Sequence, residues 1–390
     1  MKITVIGAGA IGSAIAYDLA HRAEVTQVQV CDAHARSLRK LHDTVASPKL
    51  HSYQVDARDL NVLRPILEGS ACVIGSVAPQ MNPTLARLCL EMGIHFCDLG
   101  GNDDIVREEL ALDEEAKARG IWIVPNCGLA PGLINILCLL GVSQFDAVEA
   151  AYLRVGDVPL HPEPPFNFRI SWSANKIIDD YTNPVHRIEE GAVQLCEPLT
   201  HLERIHFGGF RSLEAFCTAG SLALLAEALV GRVRTLDHKT IRWPGHALQM
   251  SFLLGLGFGE RRTIDVRTHL TYRDVLVRRM TQRLGGDHED AVLMRVVIHG
   301  ELEGKKTSLV YEMIDRYDET QKLTAMKRCT SIPTATVALM LASGQAPGSG
   351  AAPPERVVPR AMYCGLLIEH GLNITSTWRD GYVDVRKPEG

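Results

Sequence analysis

Three glycines near the N-terminus, Gly7, Gly9 and Gly12, stand in the spacing G-x-G-x-x-G, and an acid, Asp32, follows them. Each glycine fits a task. Gly7 permits a tight turn, Gly9 lets the backbone approach a diphosphate, and Gly12 lets a helix pack closely on a strand. The helix that follows begins with Ala10 and Ile11, whose free N–H groups and positive dipole end suit phosphate oxygens. A carboxylate about 20 residues further on, at the end of the next strand, accepts hydrogen bonds from ribose hydroxyls. This chemistry is the binding of a dinucleotide. Asp32 repels a 2′-phosphate, so the expected cofactor is NAD; Arg36 is the nearby counter-indication. Asp56 and Ala57 follow the third strand, where an adenine ring lies in such folds. Gly75, Ser76 and Val77 follow the fourth, where the nicotinamide ribose passes. Those five are placed by position alone and serve equally as loop residues.

The elements that must position these residues are legible as alternation. Strand-like apolar runs occur at 3–6, 28–31, 53–55, 72–74, 95–97 and 121–124. Helix-like segments separate them: 10–21 with Ile11, Ile15, Ala16 and Leu19 on one face, a polar helix ending near Asp43, and one opened by Asp59 as N-cap. Another runs from Pro83 to Gly93, and one acidic-then-basic helix spans 103–119. Strands alternating with helices give βαβ units and a parallel sheet, hence an α/β, Rossmann-type doubly wound domain. Past Pro131 the pattern changes to α+β with a mixed sheet. Segments 292–299 and 307–315 flank Glu303-Gly304 as a hairpin. Helix-like segments at 334–341 and 362–370 flank SGQAPGSGAAP (343–353), which reads as a loop.

Composition narrows the class. At 390 residues, two domains are natural, and a net charge of -5 without any basic stripe speaks against nucleic acid. Ten cysteines without a C-x-x-C pair read as buried thiols in a reducing compartment, so the expected location is cytoplasmic. The longest apolar stretch, near 133–142, is well short of the ~20 residues that span a bilayer, so no membrane partner is expected. There is no H-E-x-x-H, no histidine–cysteine cluster and no G-x-S-x-G, so neither a metal site nor serine hydrolysis is expected.

Beyond the glycine motif the chain carries CDLGG (97–101), PNCGLAPG (125–132), HPEPP (161–165), LEAFCTAG (213–220) and HKTIRWPGH (238–246). With these motifs it resembles the saccharopine dehydrogenase-like family over nearly its whole length, and the last three tilt the resemblance to the lysine-oxidising branch. The resemblance implies that L-lysine, NAD and water give 2-aminoadipate 6-semialdehyde, NADH and ammonia. It also implies a small-molecule substrate and a homodimer or larger homo-oligomer. It implies a split fold as well: residues 1–128 plus 331–390 form the dinucleotide-binding domain and 129–330 the substrate-binding and oligomerisation domain. Saccharopine or carboxynorspermidine reduction, and a dinucleotide sensor without catalysis, are the competing readings.

Loss of hydride from an amine carbon needs a neutral nitrogen, whereas a lysine ammonium has a pKa of ~10.4. A base near the nicotinamide and an alkaline optimum are therefore expected. Asp98, at the end of strand five, is placed to orient the amine or take its proton, or to brace the glycines after it. Asn126, ending strand six, positions amine or water, or shapes the turn before Gly128. Lys239 beside an arginine is the candidate base; Arg242 and Arg154 are candidate carboxylate anchors, against surface-charge and ion-pair alternatives. His246, titrating near neutrality, together with Tyr181 and Thr218, completes the candidate substrate-binding set. Phe168 and Trp172 wall an aliphatic stem or belong to the core.

Overall fold

The computed structural model describes residues 1–220 and 222–387. The chain divides into two compact units, Met1–Ile136 with Lys327–Leu372, and Leu137–Met326 with the segment from Asn373 onward.

The first unit is built on parallel strands β1 (Lys2–Ile6), β2 (Gln27–Asp32), β3 (Leu50–Gln54), β4 (Cys72–Gly75), β5 (His95–Asp98) and β6 (Trp122–Val124). A two-residue strand, β15 in chain order (Gly350–Ala351), joins them in the order β15-β6-β5-β4-β1-β2-β3. The order reverses between β1 and β4, the switch point at whose carboxyl ends ligands bind in open α/β sheets. The apolar runs make central strands buried on both faces: Ile3, Val5, Val28, Val30, Val73 and Phe96 are fully buried. Helix Ala10–His21 buries Gly12, Ile15, Ala16 and Leu19. Asp59 caps the helix Leu60–Leu67, its carboxylate accepting from Val62 N.

Four sequence expectations are corrected. Strand three lies at Leu50–Gln54, not 53–55; as the sheet's edge it is largely solvated and lacks an apolar signature. The helix expected over 103–119 is two, Asp103–Leu110 and Asp113–Arg119, because the chain turns at Leu112 to bury that side chain. The glycine-rich loop contains β15, whose Ala351 N donates to Asp113 Oδ1 at 2.8 Å. Finally, 331–390 is not one block of the first unit. Residues Ile374–Asp380 form β16, which pairs antiparallel with a strand of the second sheet.

The second unit carries β7 (Ala147–Pro159), β8 (Val185–Glu189), β9 (Ala192–Cys196), β10 (Glu203–Ile205), β11 (Leu213–Cys217), β12 (Val233–Arg242), β13 (Asp290–Leu302) and β14 (Lys305–Arg316). The sheet order is β10-β11-β12-β7-β13-β14-β16, with β8 on β12 and β9 on β8. Among the described residues of this sheet only β12 and β7 run parallel, so the sheet is mixed. Glu303 (φ 52°) and Gly304 (φ 73°) both take the left-handed region, the type I′ geometry that closes the β13–β14 hairpin. Helices Ala174–Asp180, His246–Gly255 and Tyr272–Leu284 pack through Ile177, Met250, Leu276 and Met280 around Phe168 and Phe216.

Candidate active site

The glycine loop is built as its spacing demands. Gly7 has φ +105°, and a Cβ there would lie 2.2 Å from Ser76 O. A Cβ on Gly12 would lie 1.9 Å from Gly7 O, so that glycine is what lets the helix close on the loop. Gly9 has open space on its Cβ side, and no side chain caps the helix it opens. The mouth of the helix at Ala10 and Ile11 is thus lined by bare backbone, as phosphate oxygens require. Asp32 stands beside it. Ala8 N donates to its Oδ2 and His34 N to its Oδ1, each at 2.7 Å, which fixes the carboxylate against the loop. Arg36 is exposed on the following helix.

Of the residues placed by position, Gly75 closes β4. A Cβ there would meet Asn82 Oδ1 and Phe96 Cζ at 2.9 Å and Asp98 Cβ at 3.2 Å. Ser76 N continues the sheet to Ile6 O at 2.8 Å, and Val77 packs on the core below. Ala57 packs on the same core. Asp56 is an exposed turn carboxylate gripped by Arg58, whose hydrogen bonds hold its pKa at about 2.

Asp98 and Asn126 come together at the carboxyl ends of β5 and β6. Asn126 adopts φ 67°, and its buried Oδ1 has no donor. That oxygen would lie 1.9 Å from a Cβ on Gly100, so only glycine fits there. Asp98 is fully buried, its Oδ1 accepting from Gly100 N at 2.5 Å. Burial raises its pKa to about 6. Fully enclosed, this carboxylate braces the turn through Gly100 N. Facing it is Glu109, on the inward stripe Val106–Glu109 of its helix, with its pKa pushed up to about 12 by burial and by Asp98. Glu109 was missed in the sequence because its helix reads as a solvated acidic one. The signal was its register with Val106 and Leu112.

In the second unit strand alternation separates the expected residues. Arg154 and Lys239 pair in register on neighbouring strands and share one face with Asp237. Arg154 Nε donates to Glu203 Oε1 at 2.6 Å, Nη2 to Asp237 Oδ2 at 2.7 Å and Nη1 to Asp237 O at 2.9 Å. With every nitrogen engaged and 1% exposure, it sits in a buried ion-pair network, the alternative expected from the sequence to a substrate anchor. Lys239 Nζ lies 2.7 Å from Glu203 and 3.8 Å from Asp237. Glu203 and Asp237 thus engage Lys239, and Arg242, the arginine expected to perturb it, points to the opposite face.

That opposite face gathers Arg242, Tyr181, His246 and Thr218. Arg242 Nη1 donates to Asp157 Oδ1 at 2.8 Å and its guanidinium stacks on Phe168, while its buried Nε has no acceptor. Tyr181 Oη and His246 Nε2 are 3.0 Å apart. Thr218 Oγ1 meets Thr240 Oγ1 at 2.7 Å. Burial and the charge of Arg242 hold the His246 pKa well below 6.5, which corrects the expectation of titration near neutrality: this imidazole is neutral. Phe168 and Trp172 pack in the helix-covered core. Among the described residues no group of three His, Cys, Asp or Glu side chains could hold a metal, and no helix is long and apolar enough to cross a membrane.

Strand order and glycine loop together define a Rossmann-type dinucleotide-binding α/β protein with an added mixed-sheet unit. Residues 3–124 match the saccharopine dehydrogenase NADP binding domain and residues 128–372 the saccharopine dehydrogenase C-terminal domain. The chain belongs to the saccharopine dehydrogenase family. It is 23% identical over 165 residues to carboxyaminopropylagmatine dehydrogenase of Synechocystis, covering 40% of this chain and 41% of that protein. It is 20% identical over 275 residues to the mitochondrial alpha-aminoadipic semialdehyde synthase of Rattus norvegicus, covering 67% of this chain and 29% of that one. The matched stretch thus spans well under half the length of these relatives. In fold it is similar to apo saccharopine dehydrogenase (L-Glu forming) from Saccharomyces cerevisiae, with TM-score 0.78 and 14% identity over 97% of this chain and 99% of that one. It is also similar to a homospermidine synthase from Legionella pneumophila in complex with NAD, with TM-score 0.69 and 13% identity over 97% and 91%.

Proposed function

We propose that the chain is an NAD-dependent amine dehydrogenase that oxidises the ε-carbon of L-lysine or of an amino acid of similar length. The observation that carries the reading is the pairing of a bare helix mouth with the fixed carboxylate of Asp32. Asp32 accepts from the ribose hydroxyls and repels a 2′-phosphate, which supports NAD although the matched domain is described by NADP. The nicotinamide, once bound, accepts the hydride. Arg242 supplies a buried donor without an acceptor, which suits the α-carboxylate of an amino acid, and Tyr181 with neutral His246 lines the same face. With Lys239 held by carboxylates, no base for the ammonium is evident among the described residues. The enzyme takes the minor neutral amine, and activity climbs with pH toward the substrate's own pKa of ~10.4.

A second reading is reduction of an imine to a secondary amine, suggested by relatives named saccharopine dehydrogenase (L-Glu forming) and carboxyaminopropylagmatine dehydrogenase. Absorbance assays decide between them. NADH formed from NAD and lysine alone supports the first reading. Turnover only with saccharopine or a carboxyalkyl polyamine supports the second. Tight NADH binding without turnover of any amine, oxo acid or aldehyde identifies a sensor.

A further inference from the structure

Behind the carboxyl end of β5 two acids are sealed from solvent. Asp98 and Glu109 are both 0% exposed. Asp98 Oδ2 and both oxygens of Glu109 are buried without any aligned donor, although Asp98 Oδ1 accepts from Gly100 N. Isolated buried acceptors are costly, and two facing carboxylates more so. The other titratable groups around the pair are the Cys97 and Cys127 thiols and, on its own helix, Glu108. None of these is a cation, so among the described residues no charge partner neutralises it. One proton removes the conflict: a neutral Glu109 donates O–H to Asp98 Oδ2, and both acids are then satisfied. The turn they brace carries Gly100, against which the Asn126 amide rests, and Asp98 Cβ backs Gly75, the last residue of β4.

We propose that Glu109 is a positioning residue of the dinucleotide unit: it stands as a neutral acid, donates to Asp98, and so fixes the Gly75, Gly100 and Asn126 crest that receives the nicotinamide end of the cofactor. The inference rests on the cofactor reading above. It assigns Glu109 no contact with cofactor or substrate.

The test compares Glu109→Gln, which keeps a donor, with Glu109→Leu, which fills similar space without one. NADH affinity is followed by fluorescence titration from acid to alkaline pH. The Gln variant is expected within about threefold of wild type. The Leu variant is expected to bind NADH at least tenfold more weakly at neutral pH and to recover as acid protonates Asp98. Wild-type affinity in the Leu variant, or equal loss in both, overturns the proposal. Should the Leu variant not fold, infrared spectroscopy decides: a protonated-acid C=O band in the alkaline wild type that vanishes in Glu109→Gln supports the proposal, and its absence from the wild type overturns it. Wild-type protein that binds neither NADH nor NADPH defeats the cofactor reading instead, and the infrared band still reports on Glu109.

Discussion

Replacing Gly9 or Gly12 by alanine adds the same methyl group, yet the two changes should fail in different ways. At Gly12 the new Cβ would sit 1.9 Å from the carbonyl oxygen of Gly7, whereas tolerable contacts begin near 3.4 Å. Loop and helix must part by about 1.5 Å, and neither partner is a side chain that can rotate away. Overpacking of this kind costs about 1–3 kcal/mol. A unit of this size loses roughly 2–4 °C of melting temperature per kcal/mol, so Gly12→Ala should melt several degrees lower. At Gly9 nothing lies within 4 Å and φ is -68°, so alanine fits the apo fold and Tm should stay within a few degrees. Its methyl instead projects into the space reserved for the diphosphate. Calorimetric titration should then show at least tenfold weaker NADH binding, about 1.4 kcal/mol. A folded Gly9→Ala protein with wild-type NADH affinity would refute the assignment of the helix mouth as the phosphate site, whatever Gly12→Ala does.

Asp32→Ser should lower the preference for NADH over NADPH by about tenfold or more, on the order of 1–3 kcal/mol, in paired KM measurements; an unchanged ratio counts against ribose recognition by Asp32. Lys239→Met should leave kcat within a few-fold of wild type at alkaline pH, since the ammonium pairs with Glu203 and Asp237. A loss beyond a hundredfold in folded protein would restore Lys239 as the base. His238 should contribute a loss of stability in acid, opposite in sign to the buried acids Asp98, Glu109, Asp180 and Asp290, whose raised pKa values favour the fold as pH falls. Burial lowers the His238 pKa from 6.5 to about 4, so below 6.5 the unfolded chain binds a proton that the native state refuses. The sign is a loss of stability as pH falls from 6.5 to 4, about 3 kcal/mol for this residue, and His246 is displaced in the same direction. A denaturant-midpoint difference between wild type and His238→Gln that does not shift in favour of the variant as pH falls from 6.5 to 4 would contradict it.

What the sequence makes legible follows from the range of the interactions involved. The glycine loop is a local device: Gly7, Gly12 and Asp32 are fixed by one strand, one turn and one helix, so their roles can be read from spacing. The central strands are equally plain, because burial on both faces leaves continuous apolar runs. Strand three and the Gly350–Ala351 strand escape that reasoning, since an edge strand and a two-residue strand held by Asp113 leave no apolar period. The second unit shows the harder limit. KTIRWPGH places Lys239 and Arg242 three residues apart, and in a helix they would be neighbours. In β12 that odd spacing sends them to opposite faces. Lys239 therefore answers to Glu203 and Arg242 to Asp157, partners found on other strands. Motif resemblance singled out the segment but not which of its side chains share a face, because strand parity had to be known first. The same reasoning exposes Glu109. A glutamate three residues after Val106 and three before Leu112 lies on the buried stripe of its segment, and of two facing buried acids without a cation one keeps its proton. Placing that proton required knowing that β5 delivers Asp98 to the same spot, a long-range contact that spacing along the chain does not reveal.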